Sequence, residues 1–411
     1  MPAQLRKSAV VFAITLFLAL LAGCAGMSGS NQVANPTPTP PGGSPGGGGS
    51  GNSTPAASKF VYIVGGERGA QSLFLVGFTI NQQTGELTSI PGRVNETELG
   101  FEMLRSPLDY SFYTFGNKPD GTLGLSVYTP GSSGLPQLTS FQSKINPSAI
   151  TPDGKFLFDE ELDGIHVFAI SGVSFTEISG SPFHGSQRVG DFVVTTNGKF
   201  LFALAGGDSN TAPDSRVHVF SIASNGALSE VSVSAPLASN SVYTDIHADT
   251  TGHFVYTREI PHVIDARFKP LIHVFSVDQS SGAISEVPGS PFPFVSTARL
   301  PFSLDVRTAV GPNNVLYAIQ MNEQQISAFM LNTPNGVPVF AGAFKIEDFP
   351  RVMAFDRNGR FAYVLQEDLA NTRNLLTTYT LGPNGALTPI AAPPAQALCC
   401  TGIGLQVMTA D

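Results

Sequence analysis

A unit of roughly 50 residues recurs along this chain, and its repetition limits what the chain can fold into. Between Pro147 and Phe183 the unit reads Pro147-Ser148-Ala149-Ile150, Thr151-Pro152-Asp153-Gly154, Lys155-Phe156-Leu157-Phe158, Gly164-Ile165-His166-Val167-Phe168-Ala169-Ile170, Phe175-Thr176-Glu177-Ile178, and leaves through Gly180-Ser181-Pro182-Phe183. Short runs rich in Val, Ile, Phe and Thr, separated by Pro-Asp-Gly, Asp-Gly and Gly-Ser-Pro, predict four antiparallel strands joined by tight turns. One such sheet cannot bury both of its faces alone. It has to stack against copies of itself.

Copies are present. Asn197-Gly198-Lys199-Phe200-Leu201-Phe202 leads to Arg216-Val217-His218-Val219-Phe220, and Thr251-Gly252-His253-Phe254-Val255-Tyr256 leads to Leu271-Ile272-His273-Val274-Phe275 and Gly289-Ser290-Pro291-Phe292. With weaker copies on either side, second strands begin at positions 60, 112, 156, 200, 254, 315 and 361. The first copy lacks an opening strand, whereas Gly404 to Asp411 is an opening strand with nothing after it. Read end to end, Gln406 to Asp411 followed by Ser58 to Tyr62 restores the complete unit. The predicted fold is therefore all-β: a seven-bladed β-propeller of four-stranded antiparallel blades, closed by the C-terminal strand docking in the first blade.

Ahead of this domain, Arg6 and Lys7 precede an apolar run from Ala9 to Leu21, too short to span a bilayer as a helix. Leu21-Ala22-Gly23-Cys24 resembles the bacterial lipobox, which implies a signal peptide over 1–23 and acylation of Cys24 as the first mature residue. Ala25, where proteins kept at the inner membrane carry Asp, implies placement at the outer membrane. Residues 24–58 are rich in Pro, Gly and Ser and read as an extended tether. The propeller takes 59–411.

Charged residues make up 13% of the chain, about half the usual share, as expected for sheets covered on both faces. A net charge of -9 argues against nucleic acid as a partner. Adjacent Cys399 and Cys400 are expected to be buried thiols, since a bridge between neighbours would strain the peptide between them. No His or Cys cluster has metal-ligand spacing and no calcium loop is present, so neither metal nor cofactor is expected. His166, His218 and His273 recur at one place in three units, which points to an architectural role. Pro182 and Pro291 suit an exposed outer edge.

Within this frame the string Pro350-Arg351-Val352-Met353-Ala354-Phe355-Asp356-Arg357-Asn358-Gly359-Arg360-Phe361, with the repeat pattern and the Gly-Ser-Pro-Phe exits, resembles the lactonase family of seven-bladed propellers. That family includes bacterial 6-phosphogluconolactonase and fungal carboxymuconate cyclase. Its Pro-Arg-His string is followed by a Glu sixteen residues after the Arg, and Arg351 and Glu367 keep that spacing, which implies a catalytic pair. A guanidinium can stabilise charge developing on a lactone carbonyl, and a carboxylate can move the proton. Val352 stands where the family has its histidine. His184, His247 and His262 lie in less regular stretches from which a side chain can reach the channel. The stretch from Tyr256 to Phe268, with Arg258, Glu259, His262, Asp265 and Arg267, is the longest insertion between a second and a third strand, and reads as a loop overhanging one face. His184, His247, Arg258 and His262 are the candidate substrate contacts.

Two functions follow. One is a lipid-anchored monomer hydrolysing a sugar-derived or other organic-acid lactone, without need of a phosphorylated one. The other is a non-catalytic module whose ring face holds a cell-envelope polymer or protein.

Overall fold

The structure, a computed structural model, describes residues 59–410 apart from 67–72, 97–101, 119, 162, 184–188, 206–214, 238–240, 262–270, 294–305, 332–333, 372 and 400–405. Residues 1–58, where a signal peptide, the acylated Cys24 and a tether are expected, and His184, His262 and Cys400 thus lie outside the described residues. Within them the chain makes seven antiparallel sheets in sequence order. Second strands start at Phe60, Phe112, Phe156, Phe200, Phe254, Val315 and Phe361, the places set by the repeat.

The innermost strands are Gln406–Ala410, Glu102–Arg105, Pro147–Ile150, Val189–Val194, Ser241–Ala248, Val306–Gly311 and Phe349–Phe355, for blades 1 to 7. Each lies against the next, and Phe349–Phe355 against Gln406–Ala410, so the seven surround one axis. Closure is made by the C-terminal strand, which runs antiparallel to Phe60–Gly66 with Phe60 opposite Ala410, Tyr62 opposite Met408 and Val64 opposite Gln406.

Alternation along each strand sends apolar side chains to both faces, and each face finds a neighbour. The core accordingly divides into seven clusters, one per blade-to-blade interface. Leu157 and Phe168 of blade 3 pack on Leu104, Tyr113 and Leu125 of blade 2. Phe158 and Val167, on the opposite face of blade 3, pack on Val194, Leu201 and Ala203 of blade 4. The seventh cluster joins the ends, with Val61, Ile63 and Phe74 of blade 1 against Phe361, Tyr363 and Leu376 of blade 7.

The turn between inner and second strands is built by its first residue. The Thr151 hydroxyl accepts the backbone N–H groups of Lys155 and Phe156 at 3.2 and 3.1 Å, and the Asp356 carboxylate accepts those of Arg360 and Phe361 at 2.7 and 2.8 Å. Turn donors that would otherwise be buried without partners are thereby satisfied.

The recurring histidines bind each third strand to its outer strand. His166 Nδ1 meets Glu177 at 2.6 Å, His218 meets Glu230 at 2.6 Å and His273 meets Glu286 at 2.7 Å. Two expectations need correction. Gly-Ser-Pro-Phe is not an exit but an interruption of the outer strand: Ile284–Glu286 and Phe292–Pro293 both pair with Leu271–Val277, and Phe183 returns to bridge Ile165. Pro182 and Pro291 sit exposed in that interruption, where a missing donor costs nothing. In addition, Arg258 and Glu259 are not in a loop, because the second strand of blade 5 runs Phe254–Pro261.

Neighbouring blades are also keyed by an aromatic ring set over a turn glycine. Gly336 of blade 6 has φ +72°, and a Cβ there would lie 2.2 Å from the Phe254 ring of blade 5. The Tyr256 hydroxyl donates to the Gly336 carbonyl at 3.0 Å. Gly336→Ala therefore meets both a left-handed backbone and an occupied space, and is expected to cost about 1–3 kcal/mol in denaturant unfolding.

Candidate functional site at the channel mouth

Inner strands begin, and second strands end, on the same face of the ring, and polar side chains concentrate there. The feature that presents them is a β-bulge in the inner strand. In blade 7 the register steps between Pro350 and Val352, leaving Arg351 unpaired. In blades 4 and 5 it steps between Gly190 and Phe192 and between Thr244 and Ile246, which sets Asp191 and Asp245 outside the strand register with φ of 46° and 55°.

Arg351 and Glu367 are brought together. Glu367 lies on the second strand Phe361–Asp368 rather than on the loop beyond it, opposite Phe349. Arg351 Nε donates to Glu367 Oε2 at 2.6 Å, and Nη2 donates to the same oxygen. The guanidinium side chain is 32% exposed and the carboxylate side chain 4%, so the pair shows its cationic end to solvent and keeps its anionic end inside. Val352 packs on the core between blades 7 and 1. Position 352 carries no proton-transfer group.

A second polar centre joins blades 4, 5 and 6. The Asp245 backbone N–H donates to Asp191 Oδ2 at 3.2 Å. Asp245 Oδ2 accepts from Arg258 Nε at 2.8 Å and from the Thr308 hydroxyl at 3.2 Å. His247 Nε2 lies 2.9 Å from Thr308 Oγ1. A hydroxyl has one proton, and Thr308 gives its proton to Asp245, so His247 Nε2 must donate. Burial pushes the His247 pKa down to about 4, against the favourable field of Asp245, and keeps the ring neutral. Two of the candidate substrate contacts, His247 and Arg258, thus belong to one buried relay. Glu259 instead bonds His273 Nε2 at 2.9 Å.

The sequence analysis did not single out Asp191 or Asp245. Each stands four residues before the residue that opens the next turn, Thr195 and Asp249, as Arg307 stands before Gly311. Counting back from those turns would have found them. Among the described residues no three His, Cys, Asp or Glu side chains are grouped to hold a metal ion.

Linkage fixes the sign of the His247 effect. The folded pKa lies below the ordinary 6.5, so its contribution is present above pH 6.5 and is lost as pH falls toward 4. His247→Gln should flatten that part of the melting-temperature profile, measured beside the wild type from pH 7 to 4. Parallel profiles would mean that the ring titrates normally.

No protein-family model matches the chain, and no curated protein does. Solved structures do resemble it. A protein described as a "putative 6-phosphogluconolactonase" of Bacteroides fragilis superposes with a TM-score of 0.60 at 18% identity, over 87% of this chain and 99% of that one. The periplasmic gluconolactonase PpgL of Pseudomonas aeruginosa gives 0.57 at 16%, over 85% and 99%. A hypothetical selenium-binding protein of Sulfolobus tokodaii gives 0.64 at 11%, over 86% and 94%. At such identities the likeness concerns the fold: this chain is a seven-bladed β-propeller, and its structural neighbours include proteins described as lactonases.

Proposed function

We propose that this protein is an extracytoplasmic, lipid-anchored lactone hydrolase whose working pair is Arg351 and Glu367. The observation that carries the proposal is the geometry of that pair: a guanidinium fixed through Nε and Nη2 by a buried carboxylate, with its outer end exposed at the mouth. Support comes from the periplasmic gluconolactonase among the structural neighbours, and from the export signal and Cys24 in the sequence.

In this mechanism the free N–H groups of Arg351 bind the lactone carbonyl oxygen and stabilise the negative charge that grows there. Water attacks the carbonyl carbon as Glu367 takes its proton. The ring C–O bond then breaks, the proton passes to the departing alkoxide, and a hydroxy acid is released. The substrate is an organic-acid or sugar-derived lactone small enough to enter the mouth.

One observation favours a second reading, in which the same Arg351 holds a carboxylate of a cell-envelope ligand without turnover. Val352 supplies no acid, and the His247 ring is buried and neutral. The two readings part at Glu367. Hydrolysis rates over a panel of lactones should fall about 100-fold or more in both Arg351→Ala and Glu367→Gln. Rates equal to wild type in Arg351→Ala would remove the pair as the working site. Absence of turnover in the wild type, with ligand binding retained in Glu367→Gln, would favour the binding module.

A further inference from the structure

Blade 3 departs from its own repeat at Asp159. The backbone register places Ile63, Thr114, Ala203, Thr257, Ala318 and Val364 at this position in the other six blades, all of them apolar or hydroxyl side chains. Asp159 follows Leu157 by two residues and so shares its face, directed into the interface with blade 2. It is 1% exposed, and neither carboxylate oxygen has a hydrogen-bond partner. The Asn146 side-chain oxygen, beside the start of the inner strand, is also buried without one. No side-chain donor meets these acceptors. An ionised carboxylate in such a place is strongly disfavoured, and one proton on it removes the charge.

The surroundings agree. Glu160 and Glu161 on the same strand oppose ionisation, whereas the Asn146 backbone amide and, more weakly, the cross-strand partner His166 favour it. His166 is already engaged by Glu177 at 2.6 Å and Asp163 at 2.9 Å. The inner strand Pro147–Ile150 carries no titratable side chain. From blade 2 the interface contributes Leu104, Leu125 and Tyr113, whose phenol burial keeps neutral.

We propose that Asp159 is a protonated core acid and that its ionisation is a pH-sensitive release for the mouth-side end of blade 3, where the hairpin Phe156–Glu161 and Gly164–Ser171 meets the start of the inner strand. Burial, the largest influence, raises its pKa to about 8, against the weaker pull of the nearby Asn146 amide and His166. A carboxyl raised in the folded state contributes stability that is complete below its ordinary value of 3.8 and is lost progressively up to about pH 8. At alkaline pH the charged side chain reaches water only by parting the strand ends that border the channel. The mouth on this side therefore loosens before the ring unfolds.

The test compares the intact protein with Asp159→Asn, which keeps the shape without the charge, and with Asp159→Thr, the residue of blades 2 and 5. Thermal unfolding from pH 5 to 9 is combined with hydrogen–deuterium exchange of residues 156–171, corrected for intrinsic rates. The wild-type melting temperature should decline with pH more steeply than that of either variant. Faster exchange in 156–171 at pH 8.5 should occur in the wild type alone. Parallel pH profiles for all three proteins would overturn the proposal. A wild-type melting temperature that rises relative to the variants with pH would also overturn it, since that is the sign of an ionised Asp159 held by a cation.

Discussion

A sheet that is apolar on both faces can be stable only if both faces are covered, and everything in this structure follows from how seven such sheets manage it. In a linear stack the first and last sheets would each expose a face of Val, Ile, Phe and Tyr. Here the last strand of the chain is the innermost strand of the first blade, so blade 1 is assembled from both ends of the domain. The backbone ladder along Phe60 to Val64 places Val61 and Ile63 against Phe361 and Tyr363 of blade 7, and the ring has no terminal face. Hydrogen bonds fix the register of this joint, and apolar burial supplies most of its free energy.

Closure also creates the place where function can sit. Seven inner strands crowd around one axis, and their free edges cannot all continue a regular ladder to the end. Bulges at Arg351, Asp191 and Asp245 release single residues from pairing at the mouth. Departures from the repeat gather at this end: the ion pair of Arg351 and Glu367, the relay through Asp245, Thr308 and His247, and the unpaired acid Asp159. Polar groups buried against an otherwise apolar pattern are costly, and they mark where a protein carries something besides its own stability.

The architecture was legible because its signals repeat. A Phe followed by alternating apolar residues after a turn of Pro-Asp-Gly or Asn-Gly type marked second strands at Phe156, Phe200 and Phe361, and the unmatched strand at Gln406 marked the closure. The mouth was harder to read for one physical reason. The apolar runs of these strands stop at Phe158 and Tyr256, just ahead of the charged Asp159 and Arg258, although the strands themselves continue to Glu161 and Pro261. Charge at a strand end normally signals solvent, whereas here it signals a buried polar site. Bulges leave no trace in composition, because one inserted residue does not disturb the alternation on either side. Arg351 and Glu367 were found through spacing shared with known enzymes. Asp191 and Asp245, which have no such string, emerge only once the register is known.

The most direct test of the account is the thermal unfolding of a chain lacking residues 406–411, recorded beside the full-length protein. If the C-terminal strand closes the ring, its loss exposes the free edge of blade 1 and weakens the joint with blade 7. The melting temperature should then fall by ~10 °C or more, and the transition should broaden as blades at the opened joint melt first. An unchanged temperature and an equally sharp transition would show that the ring is held together elsewhere.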